Sequence, residues 1–540
     1  MSTTAADTHV KLTRDSNQAL GIAQYAIDFL SDDAATKGEP SAKVLERTNL
    51  FFTDAVICGL SALALKTNAP TILRDEALQY VVTDATHRLG KATHRGATVF
   101  GSKTQVQPEK AILANNAAVR EWDSNGTNFG YNPELGHIAG EFGHNDFYGV
   151  CIAGAQLTDR DGAYALRAMV CLDEIRGRLA EVFSLKTYKV DHVVHGAIAS
   201  AAVFGAMLGA KPEQIESAIG MVVAHYIPFR AIRAGKQLSD SKGASAAISS
   251  EVAINSVRRS MMGFMGPRDI FRNPEAIFRI FEGPGQMFEK VGTDRANTKQ
   301  ADESPFDLVL GRAGDDFAVM GMHFKLGLYE HQSAGALQAM LDLLAKAPHL
   351  LDDASGSKIK SITITAYEPA FGIIGDPAKR NPTTRQSADH SMVYIVATLL
   401  RKALANQKSG WTELMLEPYD YSADAIHNER TRALMDKIQF EHGGPDYDKK
   451  YPDGIPTSVV IEDTDGTEFE SGMVMYPAGH ARNTEADLHG ILDHKFSLLG
   501  KLAFEDPKPV IARFEDLGSK SAEDIANLHD FEIQTRDGFE

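Results

Sequence analysis

At 540 residues the chain exceeds what one hydrophobic core usually supports, which predicts two or more domains. Its 43% apolar and 24% charged residues are ordinary for a globular protein, and a net charge of −17 speaks against a general nucleic-acid binder while leaving room for a local cationic pocket. Three cysteines, Cys58, Cys151 and Cys171, form no C-x-x-C pair, so a disulfide framework is excluded and the usual iron–sulfur ligand spacing is missing. No apolar run reaches the roughly 18 residues of a membrane span. The start, MSTTAADTHVKLTRD, has no hydrophobic h-region and carries two aspartates, which fits neither a secretory nor a transit peptide, so cytoplasm is the expectation.

In chain order, NQALGIAQYAIDFL follows Ser16 as an N-cap, with Leu20, Ala23, Ile27 and Leu30 at helical spacing. SAKVLERTNLFFTDAVICGLSALAL and EKAILANNAAVREW read as helices too, the latter with Pro108 at its start. HVVHGAIASAAVFGAMLG, rich in small residues, predicts a closely packed helix, and KPEQIESAIGMVVAHY follows. GASAAISSEVAINSVRRSM is expected to begin a helix directly after Lys242-Gly243. From about residue 313 the texture changes. SAGALQAMLDLLAKA predicts a helix, and KSITITAYE a strand by the alternation of Ile362, Ile364 and Ala366. TRQSADHSMVYIVATLLRKAL is helical again, TSVVIEDTDGTEFESGMVMY predicts two strands around a DTDG turn, and ADLHGILDHKFSLLGKLAF is helical. The fold class is therefore mainly α with an α+β second domain. Residues 1–312 form a helical domain, 313–478 a smaller α+β domain, and 479–540 a segment returning to the first.

Four stretches carry candidate chemistry. Residues 121–149, EWDSNGTNFGYNPELGHIAGEFGHNDFYG, are a long glycine-rich connector, and connectors of this length are usually functional or disordered. Asp123 follows a helix, and His144 precedes an apolar segment, where a helix N-terminus lowers a histidine pKa and a nearby aspartate raises it and fixes the tautomer. The bland alternative is a solvated surface loop. RAIRAGKQLSDSKGAS concentrates Arg230, Arg233, Lys236 and Lys242 just before a helix start, a place that suits a polycarboxylate; the alternative is an ordinary basic face. MHFKLGLYEHQSAGA holds Lys325 and His331, both proton-transfer types, which otherwise read as polar residues flanking a helix. In KVDHVVHGA, His192 and His195 share a helical face, but no third ligand lies nearby in sequence, so a substrate-contacting or capping His192 is preferred to a metal. There is no G-x-S-x-G elbow, P-loop or dinucleotide fingerprint.

Taken in order, D-S-N-G-T, G-H-N-D, V-D-H-V-V, S-K-G-A-S-A-A, F-K-L…H-Q-S-A, N-P…A-D-H-S-M-V-Y and Y-P-A-G-H-A-R-N resemble the MmgE/PrpD family over approximately residues 20 to 500. The resemblance implies a large all-helical domain with a smaller α+β lid, a homodimer, an active site between the domains and no metal or organic cofactor. It implies catalytic roles for Asp123, His144, Lys242, Lys325 and His331, and substrate contacts from Thr127, His192 and Tyr367, beside the Arg233 suggested by charge. His137 rivals His144, because the spacing after Thr127 is longer than in many relatives, and Ser241 stands where the family often has tryptophan. The implied activity is dehydration of 2-methylcitrate or a related tricarboxylate: α-proton abstraction by His144 oriented by Asp123, carboxylate neutralisation by Lys242 and Arg233, and protonation of the departing hydroxyl by His331 or Lys325. The alternatives are cis-aconitate decarboxylation, epimerisation of a related dicarboxylate, and a non-catalytic binding protein. The expected partner is a small tricarboxylate, with no nucleic acid and no membrane.

Overall fold

The computed structural model describes residues 8–233, 238–281, 303–537 and 539. Helix Val193–Met207, buried almost throughout and built largely of Ala, Gly, Ser and Val, lies at the centre of the helical part. Its small side chains let neighbours approach on every face: Tyr148–Thr158, Gly162–Val182, Pro212–His225 and Asp240–Met261 all pack against it. Ala42–Ala64 and Pro108–Arg120 extend the bundle, and the apolar core runs continuously into the second part of the chain. No single helix among the described residues is long and apolar enough to cross a membrane.

The second part is built on a four-stranded sheet in the order Ile438–His442, Ile359–Ala366, Thr457–Asp463, Glu468–Glu470. Ile362, Ile364 and Ala366 face inward in alternation, as the sequence suggests, Ile359 is buried beyond a shift of register, and helix Ala334–Lys346 packs against the sheet. The pairing of Ile438–His442 with Ile359–Ala366 is parallel, the other pairings antiparallel. That edge strand is absent from the sequence reading. Parallel partners lie far apart in the chain, and the five residues IQFEH carry too little alternation to signal a strand alone.

After residue 479 the chain packs back on the helices of the first part. Leu488–Ala503 and Lys508–Phe514 lie against Ala42–Ala64, and Ala522–Ala526 against Tyr148–Thr158. One buried cation fastens this return. Lys495 Nζ donates to Asp54 Oδ1 at 2.6 Å and to the carbonyls of Ser124 and Lys325, both at 2.8 Å. It thereby joins the C-terminal helix, the first long helix and the backbones next to two candidate site residues. Lys495→Met is expected to cost about 3–5 kcal/mol in urea unfolding, because Asp54, whose pKa burial already raises, is left in the core without its ammonium partner. A double variant Lys495→Met/Asp54→Leu should recover much of that loss.

Candidate active site

Helix Pro108–Arg120 is followed by Asp123 in the left-handed region, φ 51°, a conformation that aspartate tolerates better than most residues. This turn sends the chain inward. Segment 121–147 is not a solvated loop: most of it is buried, and Thr127–Asn128 pairs antiparallel with Gly143–His144, setting Thr127 opposite His144. Thr127 exchanges backbone hydrogen bonds with His323 at 3.0 and 2.7 Å, and its hydroxyl donates to Gly143 O at 3.0 Å. Two of its glycines are required by packing. A Cβ on Gly126 would lie 2.5 Å from the Phe51 ring, and one on Gly143 2.3 Å from the Arg176 guanidinium.

Asp123 is the electrostatic centre. Arg120 and Lys325 both bond its Oδ1, Lys325 Nζ also donates to its carbonyl at 2.7 Å, and His390 Nε2 and Lys242 Nζ lie 3.2 and 3.7 Å from Oδ2. Burial pushes this carboxyl up, but Arg120, Lys325, Lys242 and His390 together hold it well below the usual range. Lys242 Nζ in turn donates to both oxygens of Asp389 at 2.9 and 3.0 Å, and Asp389 Oδ1 is 2.6 Å from His390 Nδ1. Asp123, Asp389 and His390 converge as closely as a metal cage would. The cations against their carboxylates are the ammonium groups of Lys242 and Lys325 and the Arg120 guanidinium.

Above this network opens a cavity that encloses about 560 Å3 with its mouth. Arg120, Arg230, Arg233, Lys379 and His390 line it together with Asp123, Thr127, His144, His192, Glu330 and Gln332, while Phe142, Ile373 and Ile374 supply an apolar side. Arg233 is held by Asp191 at 2.6 and 3.2 Å and donates to Ser245 Oγ at 2.9 Å. His192 Nδ1 lies 3.0 Å from the same aspartate. Burial alone would raise the pKa of Asp191, yet Arg233 and His192 keep it well below the ordinary value, so His192 and Arg233 are fixed from behind by one carboxylate.

His144 sits on the cavity wall, its ring 5.2 Å from that of His192, and its Nδ1 has no hydrogen-bond partner. Its pKa is pushed well below 6.5 by burial first, then by Arg120 and Lys325. Two expectations change here. The helix begins only at Tyr148, so a helix terminus is not what depresses His144, and Asp123 makes no hydrogen bond that would orient its ring. Lys242 also differs: helix Asp240–Met261 starts two residues before it, which places Lys242 inside the first turn rather than ahead of it. Lys236 lies outside the described residues.

Of the expected residues, Asp123, Thr127, His144, His192 and Arg233 line the cavity, while Lys242 and Lys325 stand directly behind it. His331 and Tyr367 do not reach the wall. The His331 ring stacks on His323, with centroids 5.1 Å apart, and His323 lies against His480 at 4.1 Å; neither ring nitrogen of His331 is partnered. Tyr367 stacks on Tyr451 at 4.7 Å with its hydroxyl unpartnered. His137 is remote from the cavity, its Nδ1 2.9 Å from Glu181 Oε2, and so does not rival His144; His195 turns away to the Phe183 carbonyl. Burial, the largest influence, holds His323, His331 and His480 below the ordinary 6.5. Groups depressed in this way stabilise the fold above the unfolded-state pKa and lose that contribution as pH falls below it. The urea midpoint should therefore drop between about pH 7 and about pH 5.5.

Sequence reasoning missed Arg120, Glu330, Lys379, Asp389 and His390. Arg120 looks like any basic residue closing a helix, and Lys379 sits in a turn without pattern. Asp389 and His390 belong to the A-D-H-S-M-V-Y stretch that carries the resemblance, so a signal for them was present. Glu330 stood next to the favoured His331.

The chain is 25% identical over 425 residues to the 2-methylcitrate dehydratase of Escherichia coli (strain K12), covering 76% of this chain and 78% of that protein. It is 24% identical over 484 residues to the probable 2-methylcitrate dehydratase of Saccharomyces cerevisiae, covering 84% and 81%. An alkylcitrate dehydratase from Fungal sp. is 25% identical over 377 residues, covering 68% and 66%. Residues 22–289 match the MmgE/PrpD N-terminal domain and residues 330–511 the MmgE/PrpD C-terminal domain. The chain belongs to the MmgE/PrpD family.

Proposed function

We propose that this protein is a hydro-lyase that dehydrates 2-methylcitrate, or a close 2-alkyl relative, to the corresponding alkyl-cis-aconitate. The observation that carries this reading is the composition of one cavity: Arg120, Arg230, Arg233 and Lys379 beside His144, whose Nδ1 has no hydrogen-bond partner, and an apolar side of Phe142, Ile373 and Ile374. Relatives named for dehydration of 2-methylcitrate and of an alkylcitrate support it. The guanidinium and ammonium groups neutralise the substrate carboxylates, including the one that gains charge as the α-proton leaves. His144 takes that proton. Its depressed pKa keeps it neutral in the empty site, and the incoming carboxylates offset Arg120 and Lys325, making it a stronger base once substrate is bound. Lys242 and Lys325 keep Asp123 ionised and fixed, and Thr127 and His192 complete the wall.

The apolar side has a consequence for selectivity. One methyl group received by Phe142, Ile373 and Ile374 is worth about 1–3 kcal/mol, so kcat/KM for 2-methylcitrate should exceed that for citrate roughly 10- to 200-fold. A Phe142→Ser variant should narrow the ratio. The direct test incubates the protein with 2-methylcitrate, citrate and cis-aconitate, following ultraviolet absorbance of the conjugated double bond and release of CO2. Absorbance gained from 2-methylcitrate is the expected result. CO2 from cis-aconitate without dehydration would make the protein a decarboxylase instead, and silence with all three would leave epimerisation or binding.

A further inference from the structure

The proposed elimination needs a proton for the departing hydroxyl, and neither residue expected for that task is placed to give one. His331 lies behind the wall, and Lys325 is committed to Asp123. The cavity contains another acid. Of its two lining carboxyls, Asp123 is surrounded by cations, whereas Glu330 has no ion-pair partner among the described residues. Its Oε2 accepts the Gln332 N–H at 2.8 Å, capping the turn His331–Ser333, and its own N–H donates to the Asp389 carbonyl at 2.9 Å. The side chain is thus anchored at the cavity wall, with Oε1 left for another partner.

We propose that Glu330 is the general acid of the reaction, delivering its carboxyl proton to the substrate hydroxyl as it leaves. This inference rests on the dehydratase reading. The step balances without any co-reactant: His144 removes the α-proton, the C–H electron pair forms the C=C bond, and the C–O bond breaks. The hydroxyl takes the Glu330 proton and departs as water. Glu330 then regains a proton and the His144 imidazolium loses one, so the enzyme returns unchanged. A half-buried carboxyl that forms no ion pair among the described residues favours its neutral form. Facing it are Asp123, Lys325, Lys379, Tyr367 and Tyr451. Burial, then the Asp123 charge, raise its pKa to about 7 against the pull of Lys325, the Gln332 amide and Lys379. Protonated Glu330 beside ionised Asp123 gives two carboxyls with opposite states in one cavity, a pairing suited to acid–base division.

The test is Glu330→Gln, which preserves shape and the acceptor for the Gln332 amide. Turnover of 2-methylcitrate should fall about 10²–10⁴-fold with KM nearly unchanged. The wild-type decline in kcat/KM as pH rises through about 7 should vanish in the variant. The deficit should shrink for an analogue carrying fluoride in place of the hydroxyl, since fluoride leaves with less help from an acid. Near-normal turnover by Glu330→Gln, in a wild-type enzyme that does dehydrate 2-methylcitrate, overturns the assignment while leaving the functional reading intact. A second measurement needs no activity: difference infrared spectra of the full chain at about pH 6 should show a protonated-carboxyl band missing from Glu330→Gln. Identical spectra from the two proteins likewise overturn it.

Discussion

His144→Ala should fold normally, bind substrate with little change in KM, and turn over 2-methylcitrate about 10²–10⁴-fold more slowly. The structure makes this more than the loss of one polar group. His144 shares the cavity with the cations that would hold the substrate, and its Nδ1 is tied to no other protein group. Burial first, then Arg120 and Lys325 fixed on Asp123, hold its pKa down before substrate arrives. A free histidine would lose its basic form as pH fell through about 6.5. Here the depressed pKa moves that loss to lower pH, so the acid limb of kcat/KM, which reports the free enzyme, should lie below 6.5. A variant with near-wild-type turnover would remove His144 from the mechanism.

Asp123→Asn should be the most damaging conservative substitution in the site, in stability as well as activity. Asparagine keeps the shape and tolerates the left-handed backbone, but it withdraws the negative charge that Arg120, Lys325, Lys242 and His390 share. Breaking a buried charge pair from one side costs about 3–5 kcal/mol, because the abandoned charges cannot reach water. Lys325, whose pKa burial already lowers against the support of Asp123, is the group most exposed to the change. Urea unfolding should show that loss, and the double variant Asp123→Asn/Lys325→Met should regain part of it. Stability equal to wild type would mean that the network is not held by Asp123.

The residues that could be read from the sequence share a property: each sits in a short motif whose residue types already suggest chemistry. Asp123 and His144 stand out in this way, Thr127 comes from the family resemblance, and a two-residue antiparallel pairing sets Thr127 opposite His144. The helix periodicities of the first part were equally plain, because buried faces repeat at 3.6 residues whatever the partner. What stayed hidden depends on how the chain turns and on contacts between distant segments. Arg120 reaches Asp123 only because the chain turns sharply at Asp123, and Lys379 joins the cavity from a turn far along the chain. His331 and Glu330 show the limit most clearly. They are neighbours in sequence, yet the turn His331–Ser333 sends the imidazole into a histidine stack and leaves the carboxyl on the cavity wall. Residue type favoured the histidine, and side-chain direction favours the glutamate.

On the proposed mechanism protein side chains alone carry out the elimination, so double-bond formation from 2-methylcitrate is to be followed before and after exhaustive removal of metal ions with a chelator. The expected result is the same rate in both samples. A rate that collapses on chelation and returns with ferrous iron would make the elimination metal-dependent and overturn that mechanism.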